Sequence, residues 1–379
     1  MKIAVPAEAD KVETRVAATP ETVKKFVGLG ATVAVQAGAG AGSRIPDADY
    51  AAAGATIAAS ATETVRDSDI VLKVRRPGED ELKDYKRGAL VIATMDPYGN
   101  DAAVKAMADA GVAAFAMELL PRITRAQVMD VLSSQANLAG YQSVIDAAEN
   151  YGRALPMMMT AAGTVPAARV FVMGAGVAGL QAIATARRLG AVVSATDVRP
   201  AAKEQVESLG AKFIAVEDEE FKQAETATGY AKPMSPEYQA KQAALVAEHI
   251  KKQDIVVTTA LIPGRPAPKL VTAAMVASMR PGSILVDLAV ERGGNVEGAR
   301  LGEVAAVGEA KIIGYANVPG RIAASASALY ARNLYAFTET LVDKATKTLK
   351  VDWNDELVKA TNLTRDGAVV HPAFAPKGT

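Results

Sequence analysis

The residues of this sequence best suited to chemistry are three closely spaced glycines and an acid that follows them. Gly174, Gly176 and Gly179 form a GxGxxG pattern, and Asp197 stands 18 positions after the last glycine. In such a pattern the first glycine permits a tight turn, the second leaves room for a pyrophosphate, and the third lets a helix pack closely on a sheet. Because the N–H groups and dipole of a helix N-terminus favour phosphate oxygens, the spacing predicts a dinucleotide site.

Asp197 indicates which dinucleotide the site would take. An acid at the end of the second strand can accept hydrogen bonds from both ribose hydroxyls, and its charge would repel a 2′-phosphate. We therefore expect NAD(H) as the cofactor rather than NADP(H). Residues 170–173 are apolar and β-prone, and residues 180–189 carry apolar side chains at helical spacing, which is the context that the motif requires. The competing interpretation is an ordinary βαβ unit with small residues in its turn.

A group of polar residues precedes the glycine pattern. Arg122, Gln127, Asp130 and Ser133 lie among apolar residues just before a long helical segment. Their side chains could line a cleft and hydrogen-bond a ligand. Asp130 and Ser133 are equally ordinary N-cap residues, because their side-chain oxygens can accept hydrogen bonds from helix N–H groups. Spacing alone favours neither interpretation.

Short apolar strands alternate with helical segments along both halves of the chain. The predicted strands are Ile3–Val5, Thr32–Gln36, Thr56–Ala58, Ile70–Val74, Ala89–Ala93 and Val112–Ala116, then Val170–Met173, Val192–Ala195, Phe213–Val216, Ile255–Thr258, Ile284–Val286 and Lys311–Ile313. Strands that alternate with helices form parallel, doubly wound sheets. We therefore expect an α/β fold with two Rossmann-like domains.

Two long helical segments, at about 133–149 and 323–341, flank the second series of strands. They predict that two long helices join the domains, so that the chain crosses between them twice. The expected domains are residues 1–132 with 325–379, and residues 133–324. A cleft between two such domains is a favoured place for a cofactor.

One charged insertion, residues 217–240, interrupts the second series and shows little apolar periodicity. Most such insertions are solvated surface loops, and spacing alone favours that interpretation. The alternative is a mobile lid in which Gly229 is a hinge and Tyr230 and Met234 contact a ligand.

Composition excludes several classes of function. The 42 Lys and Arg residues balance the 42 Asp and Glu residues, so no global field attracts nucleic acid or an anionic membrane. The chain lacks cysteine, which excludes disulfides, cysteine-ligated zinc and thiol catalysis. No segment reads as a membrane span, and no metal-ligand spacing is found. His249 and His371 do not form a pair near any acid or serine, and we expect His249 at the surface because its neighbours in the sequence are charged.

Charged residues lie at the ends of two other predicted strands. Lys73, Arg75 and Arg76 end a strand of the first series, and Asp287 and Glu291 follow a strand of the second. An open α/β sheet binds ligands at this edge, so an anion site or a contact to nicotinamide is one interpretation. For Lys73, Arg75 and Arg76, solvated surface charge is the commoner explanation.

Several stretches of the chain together resemble one known family. They are Arg15–Pro20, Pro121–Gln127, Met129–Gln135, Asn137–Tyr141, Met157–Pro166, Lys203–Gly210, Thr259–Gly264, Asp287–Glu291 and Thr364–Ala368. In these motifs the whole chain is similar to the NAD(H)-binding component of proton-translocating nicotinamide nucleotide transhydrogenase, often called domain I. Together they are far more specific than a glycine pattern alone.

The resemblance implies roles for particular residues. In that family the polar stretch before the first crossing helix contacts the nicotinamide, which implies Arg122, Gln127, Asp130 and Ser133 as the catalytic, orienting residues. The family also has a mobile loop where this chain has residues 217–240, which favours the lid. The implied cofactor-binding set is Gly174, Ala175, Gly176, Val177, Gly179, Asp197, Val198, Arg199, Tyr230, Met234, Ala260 and Leu261.

The resemblance also implies an activity and partners. Hydride would pass between NADH and NADP⁺ bound on a separate NADP(H)-binding component, coupled to proton movement through a membrane-embedded component. The chain is then expected to be one subunit of a split enzyme, a homodimer, and cytoplasmic at the inner membrane through its partners. Hydride transfer itself needs positioning rather than an acid or base.

Alanine dehydrogenase is the chief rival, because it resembles the chain in a similar two-domain fold. Arg15 and Lys73 would there bind the substrate carboxylate, but that reaction needs a general acid/base. Its histidine would lie just after Ala89–Ala93, where this chain has Thr94-Met95-Asp96, and its aspartate where this chain has Glu291. A third interpretation is an NAD-sensing module, which would bind NADH without transferring hydride.

Overall fold

The computed structural model describes residues 1–224 and 234–375. The chain divides into two compact units, Met1–Gln135 with Pro319–Thr379, and Ala136–Val318. Each unit is built on its own sheet.

The first unit begins with alternating strands and helices. Its strands are β1 (Lys2–Val5), β2 (Thr32–Gln36), β3 (Ala55–Ala58), β4 (Ile70–Arg75), β5 (Leu90–Thr94) and β6 (Ala113–Ala116). Between them lie α1 (Pro20–Gly28), α2 (Asp47–Ala52), α3 (Ala61–Val65), α4 (Glu79–Leu82) and α5 (Asp101–Asp109). Among the described residues the strands form one parallel sheet in the order β3-β2-β1-β4-β5-β6.

The sheet of the first unit is buried on both faces, as its apolar strands require. Ile3, Ile70 and Ile92 lie in one core cluster, while Val71 and Val91 point to the opposite face and belong to another. This alternation is the period of two expected of strands.

A long helix and a hairpin follow. Helix α6 (Val131–Tyr151) contains the division between the two units, after Gln135. The strands β7 (Met158–Thr160) and β8 (Gly163–Val165) then pair antiparallel, and every residue in them is exposed.

The second unit repeats the pattern of the first. Its strands are β9 (Arg169–Met173), β10 (Val192–Thr196), β11 (Lys212–Phe213), β12 (Ile255–Thr258), β13 (Ile284–Asp287), β14 (Val304–Val307) and β15 (Ala310–Ile313). The helices are α7 (Val177–Arg188), α8 (Ala202–Ser208), α9 (Glu219–Lys222), α10 (Pro236–Ile250) and α11 (Ala273–Ala277). The strand order is β11-β10-β9-β12-β13-β15-β14, parallel except that β14 runs antiparallel to β15. The expected α/β fold with two doubly wound sheets is confirmed.

The C-terminal residues return to the first unit. They form α12 (Ala323–Thr340), the hairpin of β16 (Val342–Asp343) and β17 (Thr348–Leu349), α13 (Glu356–Thr361), and the hairpin of β18 (Thr364–Arg365) and β19 (Ala368–Val369). Phe337 of α12 lies 5.6 Å from Phe115 of β6 between ring centroids, so α12 covers one face of the first sheet.

The segment 217–240 is not a loop throughout, in contrast to the prediction. Asp218 caps α9, and Ser235 caps α10 by accepting a hydrogen bond from the Tyr238 N–H at 3.1 Å. The buried rings of Phe221 and Tyr238 stack with centroids 6.4 Å apart, which anchors both helices. Caps and two buried aromatics therefore outweigh the weak periodicity of this segment.

Candidate functional site

The glycine turn follows β9 directly and closes against two neighbouring strand ends. Gly174 has φ of +105°, a conformation that favours glycine, and its N–H donates to the Thr196 carbonyl at 2.8 Å. A Cβ at Gly174 would stand 2.5 Å from the Thr259 Oγ1. The turn therefore requires glycine for both its backbone angle and its close approach to the end of β12.

The other two glycines differ sharply in what surrounds them. A Cβ at Gly179 would stand 1.8 Å from the Gly174 carbonyl oxygen, so only glycine lets α7 pack on the turn. A Cβ at Gly176 would meet no atom of the described residues within 4 Å. Gly176 is also the N-cap of α7 and offers no side-chain cap, so no capping side chain occupies the helix N-terminus at this glycine. This cradle fits a pyrophosphate.

Asp197 follows β10 and is tied to the glycine turn. Its Oδ2 accepts a hydrogen bond from the Ala175 N–H at 2.7 Å, and its Oδ1 accepts one from the Arg199 N–H at 2.9 Å. The Arg199 Nε donates to Oδ1 at 2.9 Å and Nη2 donates to Oδ2 at 3.0 Å. The structure thus brings Gly174, Ala175, Asp197 and Arg199 together, with Val198 48% exposed beside them.

The end of β12 forms the other side of the turn. The Thr259 hydroxyl donates to the Gly174 carbonyl at 3.1 Å. Asn295 holds Ala260 by two hydrogen bonds, from the Ala260 N–H at 3.0 Å and to its carbonyl at 2.9 Å. Leu261 is 53% exposed beside them. Sequence reasoning missed Thr259 and Asn295 as positioning residues. The place of Thr259 at a strand end was an available signal, whereas Asn295 lies far away in the sequence and gave none.

Helix α10 places the polar side chain of Gln242 at the end of β10. The Gln242 Nε2 donates to the Thr196 Oγ1 at 3.0 Å, and its Oε1 accepts from the Val216 N–H at 2.9 Å. Met234 is half-buried against the core of this unit. Tyr230, predicted as its companion, lies outside the described residues.

The predicted nicotinamide residues belong to the first unit and to the start of α6. Arg122 and Gln127 are exposed, Gln127 within a 3₁₀ turn at Thr124–Met129. The Asp130 carboxylate accepts hydrogen bonds from the Ser133 N–H at 2.9 Å and from the Ser133 hydroxyl at 2.5 Å. Asp130 therefore acts as the N-cap of α6, and it fixes the Ser133 hydroxyl.

The corresponding edge of the first sheet carries a buried ionic cluster, which we call the first-sheet cluster. Lys73 is 1% exposed, and its Nζ lies 2.7 Å from Glu81 Oε1 and 3.5 Å from Glu8 Oε2. Glu8 also accepts the Val74 N–H at 2.7 Å. Burial raises the pKa of Glu8, against the lowering effect of Lys73. Lys73 is therefore an internal ion-pair partner rather than solvated surface charge.

Glu13, Arg15 and Arg75 continue the first-sheet cluster. Arg15 binds Glu13 through Nε and Nη2, both at 2.7 Å, and donates to Gln135 Oε1 at 2.8 Å. The Arg75 Nε donates to Glu13 Oε2 at 2.9 Å. Although burial raises the pKa of Glu13, the hydrogen bonds and charges of Arg15 and Arg75 bring it below the ordinary value.

Three other residues singled out in the sequence have different surroundings: Glu291 is exposed, whereas Asp287 and His249 are not. Asp287 is buried, where its carboxylate accepts the Ala289 and Val296 N–H groups, both at 2.9 Å. Glu291 accepts the Asn317 N–H at 3.3 Å. His249, expected at the surface, is half-buried, with Nε2 2.8 Å from the Ser194 hydroxyl and its ring 4.7 Å from Phe171. Burial and nearby Lys212 lower the pKa of His249.

Two kinds of feature are missing from the described residues. No helix there combines the length and apolarity needed to cross a bilayer. No group of three or more histidine, cysteine or carboxylate side chains there is arranged to hold a metal ion.

Comparison with protein families assigns both halves of the chain. Residues 4–139 match the family described as alanine dehydrogenase/PNT, N-terminal domain, and residues 143–372 match alanine dehydrogenase/PNT, C-terminal domain.

Individual relatives fall into two groups of different similarity. The chain is 56% identical to the first part of NAD(P) transhydrogenase subunit alpha of Rhodospirillum rubrum, covering all of both chains. A solved transhydrogenase structure from Sinorhizobium meliloti is 65% identical, with a TM-score of 0.90 over 98% of this chain and 100% of that one. The alanine dehydrogenase of Methanococcus maripaludis is 30% identical, over 99% of this chain and 96% of the relative.

Proposed function

The chain belongs to the alanine dehydrogenase/PNT family, and from this membership we propose that it is the NAD(H)-binding subunit of a proton-translocating transhydrogenase. In this role it takes part in hydride transfer between NADH and NADP⁺, the latter held by a partner subunit. The observation that carries the proposal is the glycine turn joined to Asp197 by the 2.7 Å hydrogen bond from the Ala175 N–H.

NADH, when bound, would supply the hydride, and the residues of this chain hold and orient the dinucleotide. The open space at Gly176 and the N-terminus of α7 receive the pyrophosphate. Asp197 receives the adenosine ribose. Ala260, fixed by Asn295, and the exposed Leu261 contact the cofactor at the end of β12. The proposed cofactor contacts also include the exposed Val177 and Val198, the half-buried Met234, and Tyr230, which lies outside the described residues.

The nicotinamide is oriented by Arg122, Gln127, Asp130 and Ser133. These side chains contribute through position, since a fixed approach of donor and acceptor can lower a barrier without proton transfer. The hydrogen bond between Asp130 and Ser133 supports this role, because it fixes both polar groups before a ligand arrives.

The alternative activity of an alanine dehydrogenase is disfavoured by specific contacts. Lys73 and Arg15, the candidates to bind a substrate carboxylate, are paired with Glu81 and Glu13, both at 2.7 Å. The residues directly after β5 include no histidine to act as general acid/base, and His249 is engaged with Ser194 in the second unit.

The proposal requires partners. One is an NADP(H)-binding transhydrogenase component, and another is a membrane-embedded proton-channel component that places the chain at the cytoplasmic face of the inner membrane. The third is a second copy of the chain. The hairpin β7–β8 supports a homodimer, because Met159 is 76% exposed and residues 154–168 carry no charge. Exposed strand edges are ordinarily protected by charges, and a hairpin alone is marginally stable.

A mixing experiment tests the proposed function. The purified chain is combined with an NADP(H)-binding transhydrogenase component, and the reduction of an NAD analogue by NADPH is followed. We expect turnover that depends on both components, and no NAD⁺ reduction by alanine. Absence of turnover together with alanine oxidation would establish the alternative activity, while NADH binding without any transfer would indicate a sensing module.

A further inference from the structure

The Asp197 carboxylate is fully occupied in this structure. It accepts four N–H groups, one from Ala175 and three from Arg199, at 2.7–3.0 Å. A carboxylate offers about four lone-pair positions, so these donors fill it. Its side chain is also only 7% exposed. Ribose hydroxyls therefore compete with the Arg199 guanidinium for the same oxygens.

Arg199 presents a cation where a dinucleotide would place its adenosine ribose. Its side chain is 30% exposed, and its guanidinium contacts the two carboxylate oxygens of Asp197 through Nε and Nη2. This planar fork matches phosphate as well as carboxylate. In other dinucleotide folds an arginine near this position accommodates a 2′-phosphate.

We infer that Arg199 is a specificity-determining residue, and that the Asp197–Arg199 pair rather than Asp197 alone rejects a 2′-phosphorylated nucleotide. Asp197 repels the phosphate and also holds the guanidinium that would bind it. Removal of Asp197 therefore releases Arg199 from this ion pair and converts it into a ligand for the 2′-phosphate. This inference rests on the proposed NAD(H)-binding function and names a determinant of its selectivity.

The test compares two probes that differ only in the 2′-phosphate, 5′-AMP and adenosine 2′,5′-bisphosphate. Their dissociation constants are measured by calorimetry with the full chain, Asp197→Ala, Arg199→Ala and the double variant. We expect Asp197→Ala to bind the bisphosphate at least tenfold more tightly than the unaltered chain. The double variant should lose most of that gain, and Arg199→Ala alone should gain nothing.

The matched control is Lys203→Ala in the Asp197→Ala background. Lys203 is a neighbouring cation, 37% exposed, with its Nζ 2.5 Å from Glu217 Oε2. We expect this variant to retain the gain, which distinguishes the Arg199 fork from general positive charge. Asp197→Asn, of nearly equal shape, repeats the comparison if Asp197→Ala unfolds.

Two results would overturn the inference. One is a double variant that binds the bisphosphate as tightly as Asp197→Ala, since lost repulsion alone would then explain the gain. The other is no gain in either Asp197 variant. Failure of the proposed function gives a different result, because the unaltered chain would then bind neither NADH nor 5′-AMP.

Discussion

The two sheets of this chain have the same strand order around their first strands, yet different side chains occupy the carboxyl-terminal edges of these strands. In the first sheet β1 lies between β2 and β4, and in the second β9 lies between β10 and β12. Each arrangement reverses direction beside its first strand, and such a reversal creates a crevice at the carboxyl ends of the strands. The second crevice contains the glycine turn, while the first contains the buried charges of Lys73, Glu8 and Glu13.

The contrast shows that topology supplies a crevice and side chains decide its use. Among the residues that the structure describes, none comes within 4 Å of a Cβ placed on Gly176, so these residues leave a phosphate room to reach the helix N-terminus. In the first-sheet cluster, carboxylates of the chain itself bind Lys73 and Arg15. The edge of the second sheet is therefore suited to an external anion, whereas the cations at the edge of the first sheet are already paired with carboxylates of the same chain.

The largest effect is expected from breaking the first-sheet cluster. Lys73→Ala leaves Glu8, whose side chain is 4% exposed, without its cation, and should cost about 3–5 kcal/mol of unfolding free energy. Trp353, the single tryptophan, stacks on Phe115 in the first unit, so its fluorescence during urea unfolding reports that unit.

The control for Lys73 is Lys83→Ala, an exposed lysine paired with Asp80. It should leave the free energy of unfolding unchanged within experimental error, because solvent screens an exposed pair. Equal effects of the two variants would contradict the internal role of Lys73. NADH affinity, which depends on the second unit, should stay within twofold in both.

Variants of Gly179 and Gly176, at the edge of the second sheet, test helix packing and cofactor binding separately. Gly179→Ala should destabilise the second unit by about 3 kcal/mol, because its Cβ would meet the Gly174 carbonyl oxygen at 1.8 Å. Gly176→Ala should cost no more than about 1 kcal/mol, because alanine is a poorer N-cap than glycine. It should weaken NADH binding at least tenfold, because its Cβ fills the space for the pyrophosphate. Circular dichroism and NADH fluorescence titration measure the two quantities. Unchanged NADH affinity in Gly176→Ala would place the phosphates elsewhere.

The pH dependence of stability tests the charges of the first-sheet cluster. The pKa of Glu13 is lowered in the folded chain, so its stabilising effect is present above its ordinary value of 4.5 and is lost as pH falls through the lower folded value. Glu13→Gln should therefore cost about 2 kcal/mol at pH 7 and progressively less below pH 4.5.

Glu21→Gln is the matched control for Glu13. Hydrogen bonds from Arg332 and Lys25 lower the pKa of Glu21 to about 2, but its side chain is 44% exposed. Solvent screening should keep its effect below about 1 kcal/mol. A cost for Glu13→Gln that stays constant from pH 7 to pH 3 would show that its charge is not responsible.

The smallest effect on stability concerns α6, whose N-terminus is capped by the Asp130 side chain, whereas α7 has no side-chain cap. Asp130→Ala should cost about 1 kcal/mol, whereas Asp130→Asn keeps a capping side chain and should cost less. If Asp130 also orients the nicotinamide, both variants should slow hydride transfer at least tenfold in the mixing experiment. A normal rate in Asp130→Asn would restrict this residue to capping.

The strands of both sheets were predicted well because their signal is local. The predicted Thr32–Gln36 and Ile255–Thr258 coincide with β2 and β12, since each is a short apolar run bounded by polar or small residues. The hairpin β7–β8 and the strand β14 were missed. Both are short and partly or fully exposed, so burial leaves no pattern in their sequence.

The sequence did not predict α9 or the start of α10 within residues 217–240, and the reason is different. Their stability comes from the caps Asp218 and Ser235 and from the contact between Phe221 and Tyr238, which is made only after folding. His249 likewise gave a misleading signal, because its charged neighbours indicated exposure while its ring packs on Phe171.

By itself the sequence determined the two alternating series, the glycine turn and the acid that follows it, because spacing and residue type set these locally. Tertiary structure decided which edge is open and which is closed. Lys73 and Glu81 lie on different elements, and Asn295 is 35 positions from the Ala260 that it holds. Such pairings depend on how the strands are ordered in space. Asp197 shows the same division. The sequence predicts that its carboxylate accepts hydrogen bonds from ribose, whereas the fold places that carboxylate against the guanidinium of Arg199.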